Sequence, residues 1–495
     1  MSVFFCIYWF ALRHNLRLQN VWLLSASYIF YGWWDWRFLL LIILTSLSTY
    51  GTALLFKHYR RKWLIQGNII LNIGILILFK YFNFFSENIT RLFSLFGIGL
   101  DWFTIDVLLP VGISFYTFQA IGYSIDVMRG NVHPTRNLIG FFTFIAFFPQ
   151  LVAGPIESAK SLLPQILRER VWNTRQAVAG LRMILFGLLK KVCVADMLAL
   201  YVDRIFDVAE ITPVHILSGG ILFTFQLYCD FSAYSEIARG CAALLGINLM
   251  VNFRFPLFSR NIIEFWQRWH ISLMLWFKDY LYIPLGGNRK GKWRTIMNYS
   301  IVFLLSGLWH GAAWNFVIWG AYWAVCYVLG RYLLHLDRHP QSKISLHDLP
   351  RILLTFGVVA FGFYIFRCAD ITLILHGIEN AWIYVLFFGI LCLMAKISVR
   401  LLKSVHIKGT DVGVTAIALL SLALVLSGHS MYLLKFWWLF AALLVVEIEW
   451  KDRNCDYPFA IAPRNTLLRR SLYWAMATFI VLSEPTEMTF IYFQF

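Results

Sequence analysis

Residues 301–323 read IVFLLSGLWHGAAWNFVIWGAYW, a run whose only acidic or basic side chain is His310. A spanning helix needs roughly 20 apolar residues to cross a hydrocarbon core about 30 Å thick. Extended outward, this run supplies two candidate crossings, Met297–Trp309 and Gly311–Leu334, meeting at the histidine. The rest of the chain has the same character. Of 495 residues 60% are hydrophobic, 18% aromatic and only 14% charged, with a mean hydropathy of +0.66. A soluble chain carries about 25% charged residues because its surface faces water. Several soluble domains are thereby excluded, and the sequence reads as a single all-α polytopic membrane domain over residues 1–495.

Further candidate crossings fall near Gln19–Trp34, Arg37–Leu55, Gly67–Phe85, Val107–Val127, Leu138–Ile156, Gln176–Lys191, Val192–Ile205 and His215–Cys229. Later ones fall near Ile352–Cys368, Trp382–Ile397, Val412–Leu426, Met431–Glu449 and Ser471–Leu482. Some are short or carry Gly, Pro or charge in mid-run, which marks broken, re-entrant or interfacial helices and leaves about ten to thirteen true crossings. Ser2–Leu12 is too short to cross and lacks the basic leader and cleavage site of a signal peptide. It reads as an interfacial helix or the remnant of a longer first span.

Lys and Arg number 43 against 26 Asp and Glu, a formal charge of +17. The bases cluster in connections such as Lys57–Lys62, Lys396–Lys408 and Lys451–Arg470, which by the positive-inside rule face the cytoplasm and send Phe495 outward. No soluble module is present to bind nucleic acid. The eight cysteines contain no CxxC pair and read as small buried hydrophobes, neither a disulfide framework nor a metal site. No internal repeat marks an inverted-repeat transporter.

Between Phe223 and Trp323 the chain departs from a simple stack of spans. Asp230, Glu236, Arg239, Asn252, Arg254, Glu264, Arg268, Asp279 and two histidines are threaded among aromatic residues. Charges facing lipid cost several kcal/mol, so these groups should meet a wet cavity, the interface or one another. Asp230 or Glu236 is expected to pair with Arg239 or Arg268. His310 lies between Gly307 and Gly311, which leave room for a substrate or another backbone to approach. A buried neutral imidazole keeps a nitrogen able to accept a proton, as a general base requires. The alternative is a histidine hydrogen-bonded between packed helices, or a Gly-x-x-x-Gly contact. His270, in EFWQRWHISLMLWFKDYLYIPLGG, has the surroundings of a helix lying in the interface. Pro284–Lys290 must turn, and Pro149–Ile156 must break a helix.

CDFSAYSEIARG, NFRFPLFSRNIIEFWQRWHISL, YIPLGGNRKG and SGLWHGAAWNFVIWG together resemble the membrane-bound O-acyltransferase (MBOAT) family. The similarity is strongest to the bacterial branch that holds alginate O-acetylases and D-alanyl teichoic acid transferases. FFPQLVAGPIESAKSLLPQI and the closing FIYFQF fit the same branch. The resemblance runs from about Val21 to Phe495; the short beginning departs from it and puts the first span in doubt. It implies a ring of helices around a thin core, residues 224–323, with chambers on both faces meeting at a buried histidine.

The family's active-site histidine falls on His310 and its second motif histidine on His270. Trp309, Asn315, Asn252 and Arg268 become candidates for substrate or oxyanion contacts, and Ser306 is the nearest other nucleophile. Arg289 and Lys290 are candidates for the donor's phosphates, against the plainer reading of a cytoplasmic basic loop. The resemblance implies no bound cofactor or metal. The expected donor is cytoplasmic acetyl-CoA or an acyl carrier protein thioester. The acceptor is a hydroxyl of an extracytoplasmic glycan, reached directly or through a periplasmic or extracellular relay protein. The setting is lipid, in a bacterial cytoplasmic membrane. A secondary transporter or flippase, and a non-catalytic scaffold of an export complex, are the competing readings.

Overall fold

The computed structural model describes residues 2–99, 109–208, 211–336, 343–404, 437–455 and 466–483. The candidate crossing Val412–Leu426, parts of Val107–Val127 and Met431–Glu449, parts of the basic stretches after Lys396 and Lys451, and the FIYFQF ending lie outside the described residues.

Every regular element among the described residues is helical. The first lobe holds α1 (Leu16–Gly32), α2 (Arg37–Tyr59), α3 (Lys62–Leu76), α4 (Phe82–Ser94) and α5 (Ile113–Met128). The second holds α6 (Thr174–Leu188), α7 (Asp196–Phe206), the long α8 (Pro213–Leu244), and the short α9 (Ile262–Arg268) and α10 (Ile271–Phe277). It continues with α11 (Lys292–His310), α12 (Trp314–Tyr332), α13 (Leu349–Arg367), α14 (Ile371–Glu379), α15 (Trp382–Ser404), α16 (Trp437–Asp452) and α17 (Thr466–Leu482). Side chains begin several of them. The Asn15, Asn173 and Asn261 amide oxygens accept from backbone N–H groups in the first turns of α1, α6 and α9. Thr212 caps α8 just before Pro213, whose missing N–H is harmless at a helix start.

Two large apolar clusters form the lobes, one centred on residues such as Ile42, Tyr116 and Phe144, the other on Phe223, Trp323 and Phe363. A smaller cluster joining Phe115, Phe118, Phe231, Leu273 and Trp309 lies where elements of both lobes meet.

Among the described residues, four helical runs are long and apolar enough to cross a membrane: Arg37–Tyr59, Lys62–Ser94, Pro213–Leu244 and Leu346–Arg367. Ile371–Glu379 and Trp382–Ile397 make a fifth if counted as one span bent by 49°. The chain is thus a multi-pass, all-helical membrane protein.

Several expected spans take a different form. Leu138–Ile156 is no single span: helices at Leu138–Ala146 and Phe148–Leu151 give way to an extended loop, with Pro149 and Pro155 denying backbone donors. Gln176–Lys191 and Val192–Ile205 join through a π-helical stretch, Leu189–Ala195, into one run from α6 to α7. The span expected to end at Cys229 continues to Leu244, because Asp230 and Glu236 are ion-paired inside the protein and need not leave the helix. Their partners are Lys191 and Lys190; Arg268 pairs with Glu264. The Ser2–Leu12 stretch forms a short helical turn docked on the end of α8, its Tyr8 hydroxyl donating to the Leu245 carbonyl and its Trp9 ring N–H to Leu244.

One end of the bundle gathers bases. The Tyr280 hydroxyl donates to Asp126 and Arg129 donates to the Asp279 carbonyl, joining the end of α5 to the loop before α11. Tyr50, within α2, donates to the Arg136 carbonyl. Lys292 lies over Tyr332, bringing the start of α11 to the end of α12.

Candidate active site

His310 is the last residue of α11, and Gly311 leaves the helix in extended conformation. The packing of α11 on α12 explains the glycines. A methyl group on Gly307 would collide with the Phe316 carbonyl oxygen, and one on Gly311 with the Phe316 ring. On Gly320 it would stand 2.6 Å from the Phe303 oxygen. The room that Gly307 and Gly311 leave is therefore filled by α12, which fits the Gly-x-x-x-Gly contact and leaves no space there for a substrate.

The His310 imidazole sits edge-on to three rings, Trp309 at 4.9 Å, Phe366 at 5.1 Å and Trp319 at 5.2 Å. It remains 8% exposed. The His270 ring also packs on Trp309, at 5.7 Å, and is itself edge-on to Phe231 at 4.7 Å. The two motif histidines are thus brought together against one shared tryptophan.

His270 does not lie on an interfacial helix. It is the break between α9 and α10, with φ +44° and ψ +52° in the left-handed region, a conformation that costs a non-glycine residue roughly 1 kcal/mol or more. Asn252 holds this break. Its backbone oxygen accepts from Ile271 N, and its side-chain oxygen accepts from the Ser272 N–H and hydroxyl. His270 is 1% exposed, and neither ring nitrogen has a hydrogen-bond partner among the described residues. A buried polar group left so costs about 1–3 kcal/mol.

The remaining candidates spread out. Asn315 donates to the Phe366 carbonyl, bracing the wall behind His310. Arg268 donates to Glu264 and to the Arg254 and Arg453 carbonyls. Burial opposes ionisation of the Glu264 carboxyl, yet hydrogen bonds from Arg260 and the Arg268 charge hold it below its ordinary value. Arg289 and Lys290 are exposed in the turn before α11, a helix of 19 residues. The turn folds back along the first part of that helix, the Asn298 side chain donating to the Gly287 carbonyl, and lies away from the end that carries His310.

Between these ends lies a cavity of about 120 Å³ walled by Phe118, Gln119, Glu157, Met250, Ser272 and Tyr280 among others. It runs from the base-rich end, at Asp279 and Tyr280, to Ser272, two residues past His270. The Glu157 carboxyl, in the loop before Ala159, is pushed up to about 7 by burial, against a hydrogen bond from Met250 N.

The sequence reading missed Lys80 and Tyr81. Lys80 donates to the Trp309 and His310 carbonyls at 2.8 and 2.9 Å, and the Tyr81 hydroxyl donates to the Leu308 carbonyl at 2.8 Å. The available signal was a lone lysine in the apolar stretch Gly67–Phe85, since an intramembrane charge is costly unless used.

Fold and site together define a polytopic helical membrane protein built around a buried histidine pair. The chain belongs to the membrane-bound O-acyltransferase family, whose pattern matches residues 28–378, and it is accordingly an acyltransferase. It is 38% identical over 413 residues to a probable alginate O-acetylase AlgI of Pseudomonas putida, covering 82% of this chain and 81% of that one. It is 32% identical over 393 residues to a peptidoglycan O-acetyltransferase of Helicobacter pylori, covering 73% of each. A teichoic acid D-alanyltransferase of Bacillus subtilis is 30% identical over 275 residues, 52% of this chain and 68% of its own.

Proposed function

We propose that this protein moves an acyl group, most simply acetyl, from a cytoplasmic thioester to a hydroxyl of an extracytoplasmic polysaccharide or cell-wall glycan, with His310 as general base. The observation that carries the reading is the ring series His270–Trp309–His310, in which His270 offers two unpartnered nitrogens within the motifs of an acyltransferase family. Support for a glycan acceptor comes from relatives named for alginate, peptidoglycan and teichoic acid.

In this mechanism His310 takes the proton from the acceptor hydroxyl as its oxygen bonds to the thioester carbonyl carbon. The tetrahedral oxyanion is met by donors near the rings, His270 foremost. The carbon–sulfur bond then breaks, and the thiolate leaves with the proton returned by His310. Attack by His310 itself, through an acyl-imidazole, gives the same products.

The donor is acetyl-CoA or an acyl carrier protein thioester, entering at the base-rich end, which the positive-inside rule places in the cytoplasm. Arg289 and Lys290 stand there for its phosphates, and the cavity between Tyr280 and Ser272 leads inward. The acceptor comes from the opposite face, directly or through a relay protein. The whole chain acts as one domain of about ten to thirteen crossings in a bacterial inner membrane, with residues 224–323 as its thin core and no bound cofactor. The test is His310→Ala in the purified full chain, with acetyl-CoA as donor and an alginate oligosaccharide as acceptor probe. Transfer should fall by about 10³-fold or more while folding and insertion persist; transfer at the wild-type rate would overturn the assignment.

A further inference from the structure

We infer that Lys80 is a positioning residue for His310, fixing the imidazole by holding the carbonyls that end α11; this rests on the acyl-transfer reading above. The last carbonyls of a helix have no partner within it. Here the chain leaves α11 in extended form at Gly311. Three consecutive carbonyls, Leu308, Trp309 and His310, are instead bonded by two adjacent residues of another helix. Those carbonyls belong to the residues that carry the Trp309 and His310 rings.

The placement is built into the helices. Lys80 lies as many residues beyond Lys62 as His310 lies beyond Lys292, so two helical runs rising together from the base-rich end reach the same depth, about 27 Å along. Successive side chains of an α-helix diverge by about 100°, which would turn Tyr81 away from Lys80's target. The stretch Ile77–Tyr81 is π-helical, an irregularity frequent at functional sites, and both side chains reach neighbouring carbonyls. An ammonium also suits the negative end of α11. Its cost within a crossing would be hard to justify for a cap alone.

The experiment compares wild type, Lys80→Met and Lys80→Arg in the purified full chain. The readouts are acetyl-CoA turnover with an alginate oligosaccharide acceptor, melting temperature, and the rate at which diethylpyrocarbonate modifies His310, read by mass spectrometry with exposed His58 as internal control. In Lys80→Met, kcat should fall about thirtyfold with KM for acetyl-CoA within about twofold, since a misplaced reacting group loses rate and keeps ground-state binding. His310 modification should quicken about fivefold as the freed helix end opens locally, while His58 keeps its rate. Lys80→Arg should restore most of both. An unchanged kcat and modification rate would overturn the inference. So would equal losses in Met and Arg variants that track a fall in melting temperature, which would make Lys80 a stabilising cap only. If wild type itself leaves acetyl-CoA intact, acetyl-CoA falls as the donor, and the His310 modification rate still decides whether Lys80 positions the ring.

Discussion

Lys190 and His270 are both sealed inside the bundle, 0% and 1% exposed, yet their surroundings are finished in opposite ways. The Lys190 ammonium spends all three of its protons, on Ser232 at 2.9 Å, Glu236 at 2.7 Å and Glu449 at 3.1 Å. The Tyr228 hydroxyl adds a further bond to Glu449. This knot ties α8 to α16 and to the π-helical stretch between α6 and α7 across long separations in sequence. His270 is positioned with equal care, by Asn252 and by a left-handed backbone, and its nitrogens meet no protein partner among the described residues. A buried cation whose three protons are all bonded holds helices together; under the proposed function, the open nitrogens of the rigidly held His270 serve a reactant that comes and goes.

That contrast can be broken from either side. Lys190→Met should have the largest effect on the protein itself, because it leaves Glu236 and Glu449 buried without their cation. Stripping one partner from a buried pair costs about 3–5 kcal/mol, and a steep loss of melting temperature in detergent should accompany any loss of activity. A variant as stable as wild type would show that the knot is dispensable. His270→Ala should do the reverse, lowering kcat/KM about 10²-fold, as removal of one transition-state donor does, while the melting temperature stays level or rises. Unchanged kcat/KM would reduce His270 to packing. The smallest effect belongs to the exposed turn: Arg289→Gln with Lys290→Gln should raise KM for acetyl-CoA about threefold at low salt and lose that effect at high salt, where exposed charges are screened. A change in kcat instead would place that loop nearer the chemistry than α11 allows.

How much of this was legible in the sequence follows from the range of each interaction. The membrane class, the helix break around Pro149 and Pro155, the turn at Pro284–Lys290 and the apolar run ending at His310 rest on local composition, and all were readable. The motif resemblance pointed to both histidines, and both rings pack against Trp309. Glu236 does lie within the field of Arg239, but the bonded lysines were missed because Lys190 and Lys191 precede their partners by about forty residues or more, a separation no periodicity reports. His270 misled because aromatic and charged residues alternate around it much as on an interfacial helix. The kink that ends α9 there is imposed by Asn252, which lies outside that pattern. Lys80 was passed over because its targets are backbone oxygens more than two hundred positions away, and backbone acceptors leave no signature in side-chain identity.

The glycine-lined crossing of α11 and α12 has one mechanical consequence. Where Gly307 meets Phe316 and Gly320 meets Phe303, main chain rests on main chain with no side chain to swing aside. The hairpin that bears the imidazole therefore behaves as a stiff block, and any swelling of the passage for a bulky acceptor has to be absorbed by the helices facing it.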